Sequence, residues 1–122
     1  KELGVSDITD PEQNIKAGSQ YLKRMYSYWN QVPDSIQRIK FAMASYNCGY
    51  SHVKDAQKLA EKNGKDSLVW DNGVDYYVLN LSKPKFYNDP VVKFGYVRGY
   101  EPYKYVKEIF DRYKNYKTLA TQ

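Results

Sequence analysis

An all-α domain is what this sequence predicts, on three observations. Apolar residues Ile36, Ile39, Met43 and Tyr46 recur three and four apart, the spacing of one helix face. Helix-start signals punctuate the chain at Asp10-Pro11-Glu12-Gln13, at Asp34 with Gln37, and at Glu101-Pro102. Helix-stop signals follow, at Asn47-Cys48-Gly49 and at Asn63-Gly64. The 122 residues suffice for one core and are few for two. With no internal repeat, low-complexity run or Gly-Ser linker, residues 1–122 read as one domain.

Each element has its own warrant. Lys1 to Thr9 is irregular, with Gly4 as a helix stop. Asp10 then caps a helix with Pro11 at its first position. That helix places Ile15, Gly18, Leu22, Met25 and Trp29 on one face and ends near Asn30. Tyr21 and Tyr26 flank the stripe, and Gly18 marks a close helix crossing. Asp34 opens the central helix, whose Ala42, Ala44 and Ser45 permit a near neighbour. Asn47 and Gly49 tolerate the left-handed backbone that ends it. Ser51 caps the next helix, about His52 to Lys62, with Val53, Ala56, Leu59 and Ala60 inward. Lys65 to Gly73 is a loop whose Leu68, Val69 and Trp70 close one end of the core.

Val74 to Leu81 reads as a short helix with Val74, Tyr77, Val78 and Leu81 inward, although Tyr-Tyr-Val-Leu is β-prone. Lys83-Pro84 breaks it. Short helical turns follow over Lys85 to Gly99. The last helix starts at Glu101-Pro102, with Tyr105, Val106, Ile109, Phe110, Tyr113 and Tyr116 on its apolar face. Lys107 with Asp111 and Glu108 with Arg112 sit four apart for ion pairing. Thr118 to Gln122 frays.

Composition narrows the function. Hydrophobic residues at 42% rule against disorder. The 14 Tyr, against 4 Phe and 2 Trp, suit a wet cleft or many half-buried rings. The net charge of +5 favours anionic partners weakly, and no basic block is dense enough for a nucleic-acid tail. Cys48 is the sole cysteine and His52 the sole histidine, which excludes an internal disulfide, a zinc site and a nucleophilic triad. No cofactor or metal is expected. No run of about 18 apolar residues would span a membrane. Among the acids, Glu101 stands apart, between Tyr100 and Pro102 and near Arg98. It is either a helix-start residue or a cleft-edge group.

These motifs converge. Ala42 to Ala56, AMASYNCGYSHVKDA, resembles the AxAxYNxG…V signature of bacterial soluble-type (SLT) lytic transglycosylases, relatives of goose-type lysozyme. KELGVSDITDPEQNIKAGSQYLKRM is similar to the segment that follows the family's GLMQ motif. YVRGYEPYKYVKEI resembles the last signature, most like that of the membrane-bound murein transglycosylase F branch. The resemblance implies a lysozyme-like helical domain, of which these residues are the C-terminal portion, incomplete at its N-terminus. In the family the catalytic glutamate lies in an ES motif upstream of GLMQ. That general acid is therefore expected to be absent here, with neither Glu2 nor Glu12 a substitute.

The resemblance also implies a chemistry for the parent protein. One glutamate protonates the oxygen between N-acetylmuramic acid and N-acetylglucosamine. It then acts as base on the muramic C6 hydroxyl, giving a 1,6-anhydro end. Tyr46 and Asn47 match the signature's Tyr-Asn and line the floor beside the acid. Tyr46 either stacks on sugar or packs beneath the acid, and Asn47 either donates to an N-acetyl carbonyl or braces the turn. Tyr105 matches the family's last tyrosine, whose hydroxyl approaches the carboxyl, and Glu101 a frequently acidic position near the cleft. The implied partner is the peptidoglycan glycan strand, without nucleic acid. The implied place is the cell envelope, in the periplasm or at the periplasmic face of the outer membrane, with any anchor outside these residues. These residues alone are expected to be inactive. A non-catalytic helical module that binds peptidoglycan or a protein stays open beside the enzyme reading.

Overall fold

Helix α1 (Pro11–Tyr28) lies along α2 (Ser35–Cys48), and α6 (Tyr100–Ala120) packs on α2 as well. Between α2 and α6 in sequence come α3 (Tyr50–Lys62), α4 (Asp75–Leu79) and the one-turn α5 (Pro84–Tyr87). This computed structural model describes the backbone of residues 11–120 and the side chains of residues 20–112. No strand occurs among the described residues, so the domain is all-helical, consistent with a lysozyme-like fold. Expectations for Lys1 to Thr9, for the side chains of Ile15, Gly18, Tyr113 and Tyr116, and for the terminal residues Thr121 and Gln122 lie outside what is described. The backbone of α6 runs through Ala120, past Thr118 where the sequence suggests fraying.

The core is an aromatic row set among small residues. Trp29 stacks on Phe41 with centroids 4.8 Å apart, and Phe41 meets Trp70 edge-on at 5.6 Å. Trp29 and Phe41 are fully buried. The Trp29 indole Nε1–H donates to Ser45 Oγ at 2.9 Å, so its polar atom is satisfied inside. Trp29 ends the stripe of α1, whose helix stops at Tyr28, two residues before the expected end.

The buried face of α2 differs from the expected one. Ile36 and Tyr46 are each 41% exposed, and Ile39 and Met43 are half-buried. Phe41, Ala42, Ala44 and Ser45 are the buried residues. The small side chains let α1 and α3 approach the α2 backbone, and that close packing decides which face is dry.

Asp34 caps α2 as expected, its Oδ1 accepting from the Ile36 and Gln37 amides at 2.8 and 3.1 Å. The reciprocal half of the capping box is not made. Gln37 instead donates from Nε2 to Asp71 at 2.9 Å, while its Oε1 accepts from the Trp70 and Asp71 amides. It thereby holds the loop beyond α3.

The turn after α2 is tighter than expected. Asn47 stays helical, and Gly49 alone turns the chain, at φ 104° and ψ 140°. Only glycine occupies that region readily. Its amide bonds to Ser45 O at 2.8 Å, and α3 starts at once at Tyr50. Ser51 therefore lies inside the first turn and is not its cap. Val53, Ala56, Leu59 and Ala60 face inward as expected.

Trp70 closes the core end, and Leu68 and Val69 are half-buried beside it. The expected helix over Val74 to Leu81 is three pieces. A wide turn, Trp70–Val74, has Asn72 in the left-handed region (φ 55°, ψ 29°) and leads into α4. A single 3₁₀ turn, Asn80–Ser82, follows α4. Val74, Tyr77, Val78 and Leu81 are all buried, as the three-four spacing implied. Beyond α5, residues 88–99 are irregular rather than helical. Buried Asp55 of α3 secures this segment by accepting the Lys93 and Phe94 amides at 3.1 and 2.8 Å. Gly99 then presses its backbone onto the end of α4, where a Cβ would overlap the Val78 carbonyl oxygen. Among the described residues of α6, Lys104 pairs with Glu108 at 3.9 Å, in place of Lys107–Asp111 and Glu108–Arg112.

Candidate functional site

The site grows from the end of α2. Because Gly49 ends the helix abruptly, Tyr46 and Asn47 stand exposed on its last turn. Ser45 beside them is buried and bonded to Trp29, which fixes the turn from beneath. Pro102 sits in the first turn of α6, so Tyr105 falls one turn in. There its ring stacks on Tyr46 with centroids 6.5 Å apart and planes 14° apart. Tyr21 of α1 meets the other partner of this pair, its centroid 5.4 Å from that of Tyr46 at 57°. Three tyrosines from three helices thus form a row, with Asn47 at its edge.

Burial comes first and the neighbouring Tyr46 second in pushing the Tyr105 hydroxyl above its ordinary value. It stays protonated at neutral pH and can donate a hydrogen bond without surrendering its proton. Val106 beside it is buried, and Ile109 half-buried, which locks the ring's position. Glu101 shares the Tyr105 face of α6, four residues earlier. It is exposed and paired with Arg98 at 3.5 Å, the opposite of the buried setting a proton donor needs. The structure thus brings Tyr46 and Tyr105 together, leaves Asn47 exposed next to Tyr46 on the end of α2, and leaves Glu101 exposed.

Cys48 packs half-buried against the core. Burial drives its thiol pKa up to about 12, against a smaller lowering by its own backbone contact. Among the described residues no three His, Cys, Asp or Glu side chains cluster to hold a metal. Sequence reasoning gave Tyr21 only a flanking place and passed over Asp55. Nothing local marks Tyr21, because its partner lies 25 positions away. Asp55 did carry a signal, a carboxylate set among the inward positions Val53, Ala56 and Leu59.

The structure thus presents an all-helical domain whose second helix ends in an exposed Tyr-Asn pair, with the Tyr46 ring stacked on a tyrosine of the last helix. Residues 1–69 match the transglycosylase SLT domain, and the chain belongs to that family. It is 42% identical over 112 residues to the membrane-bound lytic murein transglycosylase F of Maricaulis maris, covering 89% of this chain and 23% of that protein. The protein of the same name from Shewanella woodyi is 43% identical over 112 residues, covering 89% of this chain and 22% of the relative. The Haemophilus influenzae protein of that name is 42% identical over 118 residues, covering 94% and 23%. The chain therefore spans less than a quarter of the length of these relatives.

Proposed function

We propose that this chain is the C-terminal part of the SLT domain of a peptidoglycan lytic transglycosylase working in the cell envelope. The Tyr46–Tyr105 stack at the open end of α2 is the observation that carries this reading. Aromatic faces pack against the apolar faces of pyranose rings, and an exposed amide such as Asn47 pairs with N-acetyl groups. Family membership and the likeness to murein transglycosylases supply the substrate class. No helix among the described residues is long and apolar enough to cross a membrane.

The chemistry we infer needs one carboxyl. The glutamate of the family's ES motif protonates the oxygen between N-acetylmuramic acid and N-acetylglucosamine. The same group then takes the proton of the muramic C6 hydroxyl as that oxygen attacks the anomeric carbon. The glycosidic bond breaks, a 1,6-anhydro ring closes, and no water is consumed. Paired-carboxylate glycosidases instead leave a reducing end. The Tyr105 hydroxyl orients the glutamate, and Tyr46 supports the sugar at the cleavage point.

Digestion of intact sacculi by the full-length protein tests the reading. Chromatography should show 1,6-anhydromuropeptides, and none from residues 1–122 alone. Reducing ends in their place would overturn the chemistry. Saturable glycan binding without any cleavage would favour a non-catalytic module instead.

A further inference from the structure

A groove crosses the side of α6 turned away from the tyrosine row. At 3.6 residues per turn, Tyr103, Lys107 and Phe110 lie roughly 140–160° round the helix from Tyr105. There α6, the first turns of α2 and the Trp70–Val74 turn enclose a hollow of about 600 Å³. A second hollow of about 530 Å³ lies against it, and Asp75 and Tyr103 line both. Each is within the size range of small-ligand sites.

The walls are apolar and aromatic, from Ile36, Trp70, Val106 and Phe110 on one side and Tyr76 on the other. The charges are balanced, which is unusual in a chain of net charge +5. Lys40, Lys65 and Lys107 face Asp71, Asp75 and Asp111. Lys40 and Asp71 neutralise each other at 2.7 Å, with the ammonium 4.5 Å from the Phe110 ring centroid. Lys65, Lys107, Asp75 and Asp111 remain to meet a ligand. Asp75 is half-buried between the two hollows and held there by the Gly73 and Tyr76 amides at 3.1 and 2.7 Å.

A polyanion would meet the carboxylates of Asp75 and Asp111 here, and a plain cation the ammonium groups of Lys65 and Lys107. A molecule carrying both signs on a short flexible chain fits both. We propose that this groove binds a short zwitterionic peptide. Its ammonium group meets Asp75 between Trp70 and Tyr103, where aromatic faces also attract a cation. Its carboxylate meets Lys107. Assigning that peptide to the amino-acid stems of peptidoglycan rests on the function proposed above, whereas the charge pattern of the groove does not. The site would let the protein sense peptide substitution on a strand whose sugars lie in the tyrosine cleft.

Photo-crosslinking of the full-length protein tests this. The probe is a tetrapeptide with a free diamino-acid side chain, a free carboxyl terminus and a diazirine group, its adducts mapped by mass spectrometry. Adducts should fall within residues 70–76 and 103–111. Unlabelled peptide should compete, and the same peptide N-acetylated and C-amidated should compete at least tenfold less well. Lys107→Glu, an exposed change that leaves the core untouched, should weaken labelling about tenfold. Asp75→Asn should do the same, and Tyr46→Ala should not. Adducts confined to other segments, equal competition by the blocked peptide, or full labelling of Lys107→Glu would each overturn the proposal. Peptide-free glycan should not compete, and competition by it would also count against a peptide site. Groove labelling by the peptide would stand even if the sacculus digestion failed, so the two readings fail separately.

Discussion

The ring of Tyr46, on the last turn of α2, lies nearly parallel to that of Tyr105, on the second turn of α6, at 14° and 6.5 Å. The two residues are 59 positions apart in sequence and come from helices that pack directly on each other. Tyr46 keeps 41% of its surface exposed while Tyr105 is half-buried. In the function proposed above, the exposed ring touches the glycan and the inner one positions the catalytic carboxyl.

That division yields the first prediction. Tyr105→Phe keeps the ring stack and removes one hydroxyl. In the full-length protein it should lower kcat on sacculi about tenfold, equivalent to ~1.4 kcal/mol of transition-state stabilisation, with KM little changed. Stability should fall by no more than about 1 kcal/mol, the worth of one hydrogen bond. Product release assays and urea denaturation measure the two. Unchanged turnover would reduce Tyr105 to a packing residue.

Gly99 is the most tightly enclosed glycine among the described residues. A Cβ there would overlap Val78 O and come within 2.5 Å of Leu79 O, both backbone atoms that cannot rotate aside. Gly99→Ala should destabilise the domain by about 3 kcal/mol or more, since overpacking against fixed atoms shifts the backbone. Chemical denaturation should show a lower midpoint with a similar slope. A variant as stable as the parent would mean that the α4–α6 junction opens freely.

Asp55 predicts a local rather than global defect. Asp55→Ala would remove the acceptor of the Lys93 and Phe94 amides, at about 0.5–1.5 kcal/mol for each part-buried hydrogen bond. Hydrogen exchange should accelerate first at Lys93 and Phe94, ahead of the amides of α2. Uniform acceleration across the domain would contradict a local tether.

Asp71 gives a pH dependence. Burial pushes its carboxyl up, but hydrogen bonds from Lys40 and Gln37 and the Lys40 charge outweigh burial and hold it below its ordinary 3.8. A depressed folded pKa contributes stability that is fully present above the unfolded value and is lost as pH falls through the folded one. Asp75 acts oppositely. Burial raises its pKa, so its share of stability grows as pH falls through that raised value. Asp71→Asn should therefore be less stable than the parent at neutral pH, and the gap should close as pH drops below about 4. The gap should be small, because the Asp71 side chain is half exposed and solvent screens the pair. Melting curves from pH 7 to pH ~2.5 check this, and a gap that widens in acid would refute it.

Local chemistry made much of this protein readable from its sequence. Asp34 caps α2 through contacts two and three residues away, and Asn63-Gly64 ends α3, so both signals sit within one turn of their effect. The helix stop before Gly49 was legible for the same reason, since it is a short string read in place, although Asn47 proved to belong to the helix. The dry face of α2 was not. Periodicity shows that a face is apolar, and Ile36 and Tyr46 satisfy it while remaining 41% exposed. Which face is buried depends on what packs there, and small residues such as Ala42, Ala44 and Ser45 win because they admit neighbouring helices most closely. Gln37 likewise had two partners within reach of its chemistry, the helix start and the Trp70–Asp71 loop, and only the tertiary approach of that loop settled the choice. The partnership of Tyr21, Tyr46 and Tyr105 belongs to the same class. Aromatic contact has no sequence period across three helices, so the fold alone brings those rings together.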